Sequence, residues 1–338
     1  MTFAVLALAA GGALLVAVVL PLGVRPVLVA WGALDVPVAR SSHQVPTLRG
    51  GGIAVAGGLL VGLGVLAAGA DGVARSLVLT ILTISAVAAV VGLVEDVRGL
   101  STRTRAGLQL ALGIVVAVVV SHLTDLPWWL AVVGAVLFAG YVNVANFMDG
   151  INGISSLHGV VVGLGYALLG VLSDVPWLIG VGLCLAASFV AFLPWNLRSP
   201  GMFLGDSGSY LLGASIAVTA VSAVGVGVPL VAVVAPLVPY LADTGTTLVR
   251  RVRRGEVWHE AHRSHAYQRL ALTLGHVPVA VLVSVASAAA VGLATLTYLG
   301  GPAVVAAWAG LALLAVLYLA SPTLATTLGR KTEGARRA

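Results

Sequence analysis

Residues 76–105 read SLVLTILTISAVAAVVGLVEDVRGLSTRTR. The segment 76–94 carries no charge, and as a helix it is long enough to cross a bilayer core of about 30 Å. It ends on two adjacent carboxylates, Glu95 and Asp96. Three arginines follow in a short connection, Arg98, Arg103 and Arg105, before a second apolar run opens at 106. Inside a bilayer every backbone polar group needs a partner within its own segment, so such a run is a helix, and the lack of strict polar/apolar alternation argues against a barrel.

The same pattern recurs in both directions along the 338 residues, of which 59% are hydrophobic and 9% charged. A soluble domain carries about 25% charged residues, so an ordinary globular protein is excluded. Eleven spans are predicted: 2–21, 51–70, 76–94, 106–122, 128–145, 157–172, 176–193, 209–226, 228–247, 277–298 and 303–320. The run from Thr2 to Leu20 has no basic residue before it and Arg25 after it, the reverse of a secretory signal, and reads as a retained helix with its N-terminus outside. Alternation from there puts Arg75 outside and the other seventeen of the eighteen Lys and Arg residues inside. This asymmetry matches the positive-inside rule and puts the C-terminus in the cytoplasm. The expectation is one all-α polytopic membrane domain over 1–338, with inner loops at about 22–50, 95–105, 143–156, 194–209 and 248–276.

The net charge of +6 does not point to nucleic acid. Its basic residues flank membrane spans, where they set topology and meet anionic lipid or phosphate. Cys184 is the single cysteine and lies in mid-span, so no intrachain disulfide forms.

Asp35, Glu95, Asp96, Asp149, Asp206, Asp243, Glu256 and Glu260 all fall on the inner side, several at the ends of spans. A carboxylate there is costly unless paired or metal-bound, so the group suggests a functional site. Five inner segments carry polar chemistry. The first holds Asp35, Arg40, His43, Pro46 and Arg49 before Gly50-Gly51-Gly52. Glycines opening a helix there leave N–H groups accessible to an anion, or make a simple flexible turn. The second is Glu95-Asp96, suited to a metal or a proton, or to an ion-pair cluster with the arginines behind it. The third is Asn143-Val144-Ala145-Asn146-Phe147-Met148-Asp149-Gly150-Ile151-Asn152-Gly153, an irregular turn offering amides and a carboxylate. In the fourth, Gly205-Asp206-Ser207-Gly208-Ser209, a carboxylate between glycines suits a hard cation, and exposed amides suit a diphosphate. The fifth runs from Arg250 to Leu270, with His262, Arg263, His265, Tyr267 and Gln268. Two histidines without cysteine, beside hard oxygen donors, fit phosphate and sugar contacts better than zinc.

Taken in order, these segments resemble the polyprenyl-phosphate N-acetylhexosamine-1-phosphate transferase superfamily. The family pattern has an Arg/His/Pro segment before a Gly-rich helix and an Asp-Asp pair before Arg-Gly-Leu-Ser. An Asn-Phe-x-Asp-Gly motif, a Gly-Asp-x-Gly-Ser loop and a late histidine loop follow. The resemblance runs from about Asp35 to Leu270. It implies transfer of a sugar-1-phosphate from a UDP-N-acetylhexosamine to undecaprenyl phosphate in the bacterial cytoplasmic membrane. Mg²⁺ is the implied cofactor, with Mn²⁺ as a substitute, and UMP is released; a homodimer is compatible.

By the matching motifs, Asp206 holds the metal and Asp96, Asp149 and Asp206 are the catalytic carboxylates. His43, Arg49, Glu95, Asn146, Asn152, Gly205, Ser207, His262, Arg263 and His265 contact substrates. Glu95 and Asn152 stand where many members have Asp. The late loop, His262-Arg263-Ser264-His265-Ala266-Tyr267, resembles the O-antigen-initiating branch that handles UDP-N-acetylglucosamine or 6-deoxy sugars. A transporter or lipid flippase is the rival reading, but its sites lie near mid-membrane between repeated halves. The CDP-alcohol phosphotransferase motif Asp-Gly-x-x-Ala-Arg is absent.

Overall fold

The computed structural model describes residues 1–37, 45–198, 201–256 and 263–337, with side chains to residue 327. Helices run in the order α1 (Phe3–Ala30), α2 (Gly52–Ala68), α3 (Gly72–Arg98), α4 (Thr102–Leu123), α5 (Trp128–Met148), α6 (Ile154–Leu172), α7 (Pro176–Leu197) and α8 (Gly205–Gly225). There follow α9 (Leu230–Val234), α10 (Val238–Arg253), α11 (Ala266–Leu274), α12 (His276–Ala294) and α13 (Pro302–Arg337). A 3₁₀ turn at Ala235–Leu237 joins α9 to α10. Among the described residues ten helical segments are at least 18 residues long and apolar enough to cross a membrane, the rod Leu230–Arg253 counted as one. The chain is a multi-pass membrane protein. The span expected at 51–70 is α2, an apolar helix of 17 residues.

Small residues let these helices approach closely. The central helix, α8, packs against α2, α3, α4 and α5. Gly52 lies directly on the backbone of Gly208, and Gly92 on the carbonyl of Asp206, with no room at either for a Cβ. These two contacts bring the ends of α2, α3 and α8 together, and the polar residues gather at that end.

The fold is all-α, with one short β pair between the helices. Leu34–Asp35 (β1) and Thr47–Leu48 (β2) form an antiparallel pair, with Asp35 opposite Thr47. Leu48 also bridges to Met202, and the Phe203 amide donates to the Leu48 carbonyl at 2.8 Å. Backbone between spans needs partners as much as backbone within them. Here the α1–α2 and α7–α8 connections supply one another, which holds Arg49 beside both Asp35 and the 203–206 segment.

Candidate active site

Four of the quoted segments converge on a cavity of about 300 Å³ where the C-terminal end of α5 meets the N-terminal end of α8. Its wall includes Asp35, Arg49, Asn146, Asp149, Asn152, Asn196, Gly205, Asp206, Gln268 and His276. A neighbouring cavity of about 340 Å³ is lined by Leu28, Trp31, Leu93 and Val97 together with Asp96, and it shares Arg49 with the first.

Asp96 stands at the end of α3 with 6% of its side chain exposed. Its Oδ1 accepts the Asp206 amide at 3.0 Å and its Oδ2 the Ser207 amide at 2.9 Å. A helix start leaves amides without intrahelical partners and carries partial positive charge, so a carboxylate there is doubly favourable. This changes the reading of the Gly205–Ser209 loop: the Asp206 and Ser207 amides are occupied by Asp96 and are not open to a phosphate. The Gly50–Gly52 run is corrected in the same way. The Gly51 amide donates to the Phe203 carbonyl at 2.9 Å and the Gly52 amide to the Leu204 carbonyl at 2.8 Å. Those glycines serve the close approach of α2 to α8.

With its backbone fixed by Asp96, Asp206 turns its carboxylate to the cavity, where Asn146 Nδ2 donates to Oδ1 at 2.6 Å and to Ser209 Oγ at 3.0 Å. The positive charge beside these acids is Arg49, whose Nε lies 3.6 Å from Asp96 Oδ1 and whose Nη2 lies 3.7 Å from Asp35 Oδ2. These are loose pairings, and 42% of the Arg49 side chain is exposed.

Helix α5 ends at Met148, and Gly153 at φ +84° starts α6, so Asn146, Asp149 and Asn152 do not lie on one continuous helix. All three still line the cavity, because the turn between them is held from outside. Asn196 Oδ1 accepts the Gly153 amide at 2.9 Å and the Ser156 hydroxyl at 3.0 Å, while its Nδ2 donates to the Met202 carbonyl at 3.2 Å. Asn152 Nδ2 donates to the Arg198 carbonyl at 3.3 Å, and His276 Nδ1 lies 3.3 Å from Asn152 Oδ1. Burial, reinforced by the nearby charges of Asp206 and Asp96, pushes the Asp149 carboxyl up to about 7.

Of the sequence-predicted residues, Arg49, Asn146, Asp149, Asn152, Gly205 and Asp206 line the cavity, and Asp96 borders it through Arg49 and the α8 cap. Others stand elsewhere. Glu95 faces away, taking Arg105 Nη1 at 3.1 Å and the Leu100 amide at 2.6 Å. Ser207 is buried. His265 is buried on Asp243, with Nδ1 donating to Oδ1 at 3.1 Å. Arg263 is exposed and outside the lining, and His43 and His262 lie outside the described residues. Sequence reasoning left out Asn196 and His276. The available signal was a lone amide or imidazole at the border of an apolar span.

Residues 78–224 match the family model described as glycosyl transferase family 4. That stretch runs from α3 to α8 and contains Asp96, Asn146, Asp149, Asn152 and Asp206. Similar proteins include a probable undecaprenyl-phosphate N-acetylglucosaminyl 1-phosphate transferase of Bacillus subtilis, 27% identical over 75% of this chain and 74% of that protein. A decaprenyl-phosphate N-acetylglucosaminephosphotransferase of Mycobacterium tuberculosis is 29% identical over 72% and 70%. A phospho-N-acetylmuramoyl-pentapeptide-transferase of Moorella thermoacetica is 29% identical over 39% and 49%. Over residues 78–224 the chain is thus similar to glycosyl transferase family 4, and over about three quarters of its length to polyprenyl-phosphate N-acetylglucosamine-phosphate transferases.

Proposed function

We propose that the protein transfers N-acetylhexosamine-1-phosphate from a UDP-sugar to undecaprenyl phosphate, releasing UMP and forming the first lipid-linked intermediate of a cell-envelope polysaccharide. The observation that carries this reading is the convergence of Asp206, Asn146, Asp149 and Arg49 on one cavity at the polar end of the membrane bundle. In the proposed topology that end faces the cytoplasm of a bacterial inner membrane, where a nucleotide-sugar is available and the acceptor's phosphate lies at the headgroup level. The late loop favours UDP-N-acetylglucosamine or a 6-deoxy N-acetylhexosamine as donor, as in O-antigen initiation.

A phosphate monoester has its second pKa near 6, so the acceptor is largely dianionic at neutral pH and needs little help from a base. An acceptor oxygen attacks the β-phosphorus, a P–O bond forms there, and the bridging oxygen leaves with UMP. Bringing two anions together is the harder task. Arg49, loosely held between Asp35 and Asp96, is free to turn toward phosphate oxygens. Asp149 takes up any proton remaining on the acceptor, since a carboxyl titrating near the working pH suits proton transfer in either direction. Asp96 seats the amides that aim Asp206.

No cluster of three His, Cys, Asp or Glu side chains able to cage a metal occurs among the described residues. Mg²⁺ characteristically binds through one or two carboxylates, with substrate phosphates and water completing its shell, and Asp206 fits that requirement. When bound there, the ion supplies charge neutralisation on the diphosphate.

The test is to incubate the purified protein with undecaprenyl phosphate, Mg²⁺ and a panel of UDP-sugars, measuring UMP and the lipid-linked product. UMP from one or more N-acetylhexosamine donors is the expected result; no UMP from any donor overturns the reading.

A further inference from the structure

Asp243 is wholly buried on α10 and lines neither cavity, yet it is the most heavily bonded carboxylate among the described residues. Its Oδ1 accepts the Ala266 amide at 2.8 Å and His265 Nδ1 at 3.1 Å, and its Oδ2 accepts the Tyr267 amide at 3.0 Å and the Tyr318 hydroxyl at 2.7 Å. Two of those donors are the first amides of α11, which would otherwise lack partners in a buried place. Asp243 thus does for α11 what Asp96 does for α8.

What α11 carries makes this relevant to the site. Tyr267, also buried, donates its hydroxyl to the Phe147 carbonyl at 2.9 Å. Its ring end fills the space over Gly150, where no Cβ fits. Phe147 and Gly150 flank Asp149 in the turn that forms one wall of the cavity. The next residue, Gln268, lines the same cavity and accepts the His265 amide at 3.3 Å, completing the cap.

We infer that Asp243 and Tyr267 are positioning residues for the reaction: Asp243 seats the start of α11, and Tyr267 then locks the Asn146–Gly153 turn so that Asp149 stands in the cavity. The effect on turnover rests on the transfer reading given above; the effect on the turn does not. A merely structural role for Asp243 would tie α10, α11 and α13 together without reaching the turn.

The experiment compares the full-length protein with Tyr267→Phe, Asp243→Asn and Tyr318→Phe, by hydrogen exchange of the peptide spanning 146–153 and by transfer kinetics. Tyr267→Phe keeps the ring and removes one hydroxyl. About tenfold faster exchange in 146–153 is expected, with the apolar helices unchanged, a kcat lowered about tenfold and a donor KM within about twofold. Asp243→Asn should reproduce this and add faster exchange over 265–270; if it does not fold, Tyr267→Phe alone decides. Tyr318→Phe removes a bond to the same carboxylate from α13 and should leave the 146–153 exchange and kcat within about twofold of the wild type. Unchanged exchange of 146–153 in Tyr267→Phe overturns the inference, as does a Tyr318→Phe phenotype equal to that of Tyr267→Phe. Should the wild type transfer nothing from any donor, the functional reading fails and the exchange data still decide the positioning role.

Discussion

Asp96 and Asp206 belong to helices whose ends meet at the polar border, and one acts on the other through backbone: Asp96 Oδ1 accepts the Asp206 amide at 3.0 Å while Oδ2 takes the next amide at 2.9 Å. The carboxylate is held against the start of α8 with Arg49 at its side. Replacing it by asparagine turns an NH₂ toward one of the two amides. Asp96→Asn is therefore expected to lose about 1–2 kcal/mol of stability and, by shifting Asp206, to slow transfer by about 100-fold, or roughly 2.7 kcal/mol in the barrier. Thermal unfolding and turnover of the purified variant measure the two effects. Near-native turnover at saturating lipid would reduce Asp96 to a fold determinant.

Asp206 itself carries no such structural duty: its carboxylate faces the cavity and accepts from Asn146 Nδ2 at 2.6 Å. Asp206→Asn is expected to remove transfer by at least about 1000-fold while the unfolding midpoint stays near that of the wild type. Asn146→Ala, which leaves the carboxylate without its orienting donor, should fall between the wild type and Asp206→Asn, at about 10- to 100-fold. Substantial activity in purified Asp206→Asn, measured across a Mg²⁺ titration, would reject the metal-binding role.

The pH dependence follows from Asp149. Its carboxyl is raised from 3.8 to about 7 by burial, with neighbouring acids adding to the shift. The ionised form is the one that takes a proton, so kcat/KM in the wild type should rise with pH through about 7 and fall about tenfold per unit below it. Asp149→Asn should remove the limb near 7 and leave the limb near 6 that belongs to the acceptor phosphate. Stability carries the opposite sign. A carboxyl whose folded pKa is raised disfavours the folded state increasingly as pH climbs from about 3.8 to about 7, so Asp149→Asn should gain stability relative to the wild type at pH 8 compared with pH 4. A wild-type profile with only the limb near 6 would contradict the assignment.

Much of this was legible in the sequence for physical reasons. Lipid enforces long uncharged runs, and a border carboxylate is too costly to be incidental, so residues 76–94, Asp96, Asp149 and Asp206 stand out without coordinates. What escaped was the direction of each polar group. A helix start next to glycines looks open to anions in sequence, but the Gly51 and Gly52 amides donate to Phe203 and Leu204, and the Asp206 amide to Asp96, contacts between residues 110 or more apart in the chain. Asn196 does not stand out because what it holds, Gly153 and Ser156, lies 40 or more residues away on the α5–α6 side. His265 looked like a ligand contact and instead completes the cap on α11. Local pattern tells which residues are expensive to place; only the packing of α3 on α8 and of α10 on α11 tells what offsets the cost.

Glu95 sets the sharpest contrast with its neighbour. It occupies the first position of the acidic pair, yet its oxygens take Arg105 Nη1 at 3.1 Å and the Leu100 amide at 2.6 Å, closing the connection from α3 to α4. The extra methylene relative to aspartate gives it the reach for that turn. Glu95→Gln keeps one acceptor and loses the charge facing Arg105. It should cost about 1 kcal/mol of stability and leave kcat and both substrate KM values within about twofold, in contrast to Asp96→Asn. Glu95→Asp, too short to bridge the Leu100 amide and Arg105 together, should be the less stable of the two by thermal unfolding, with turnover again near that of the wild type. A loss of turnover in Glu95→Gln comparable to that in Asp96→Asn would restore Glu95 to the substrate-binding residues and show that the α3–α4 connection reaches the cavity during the reaction.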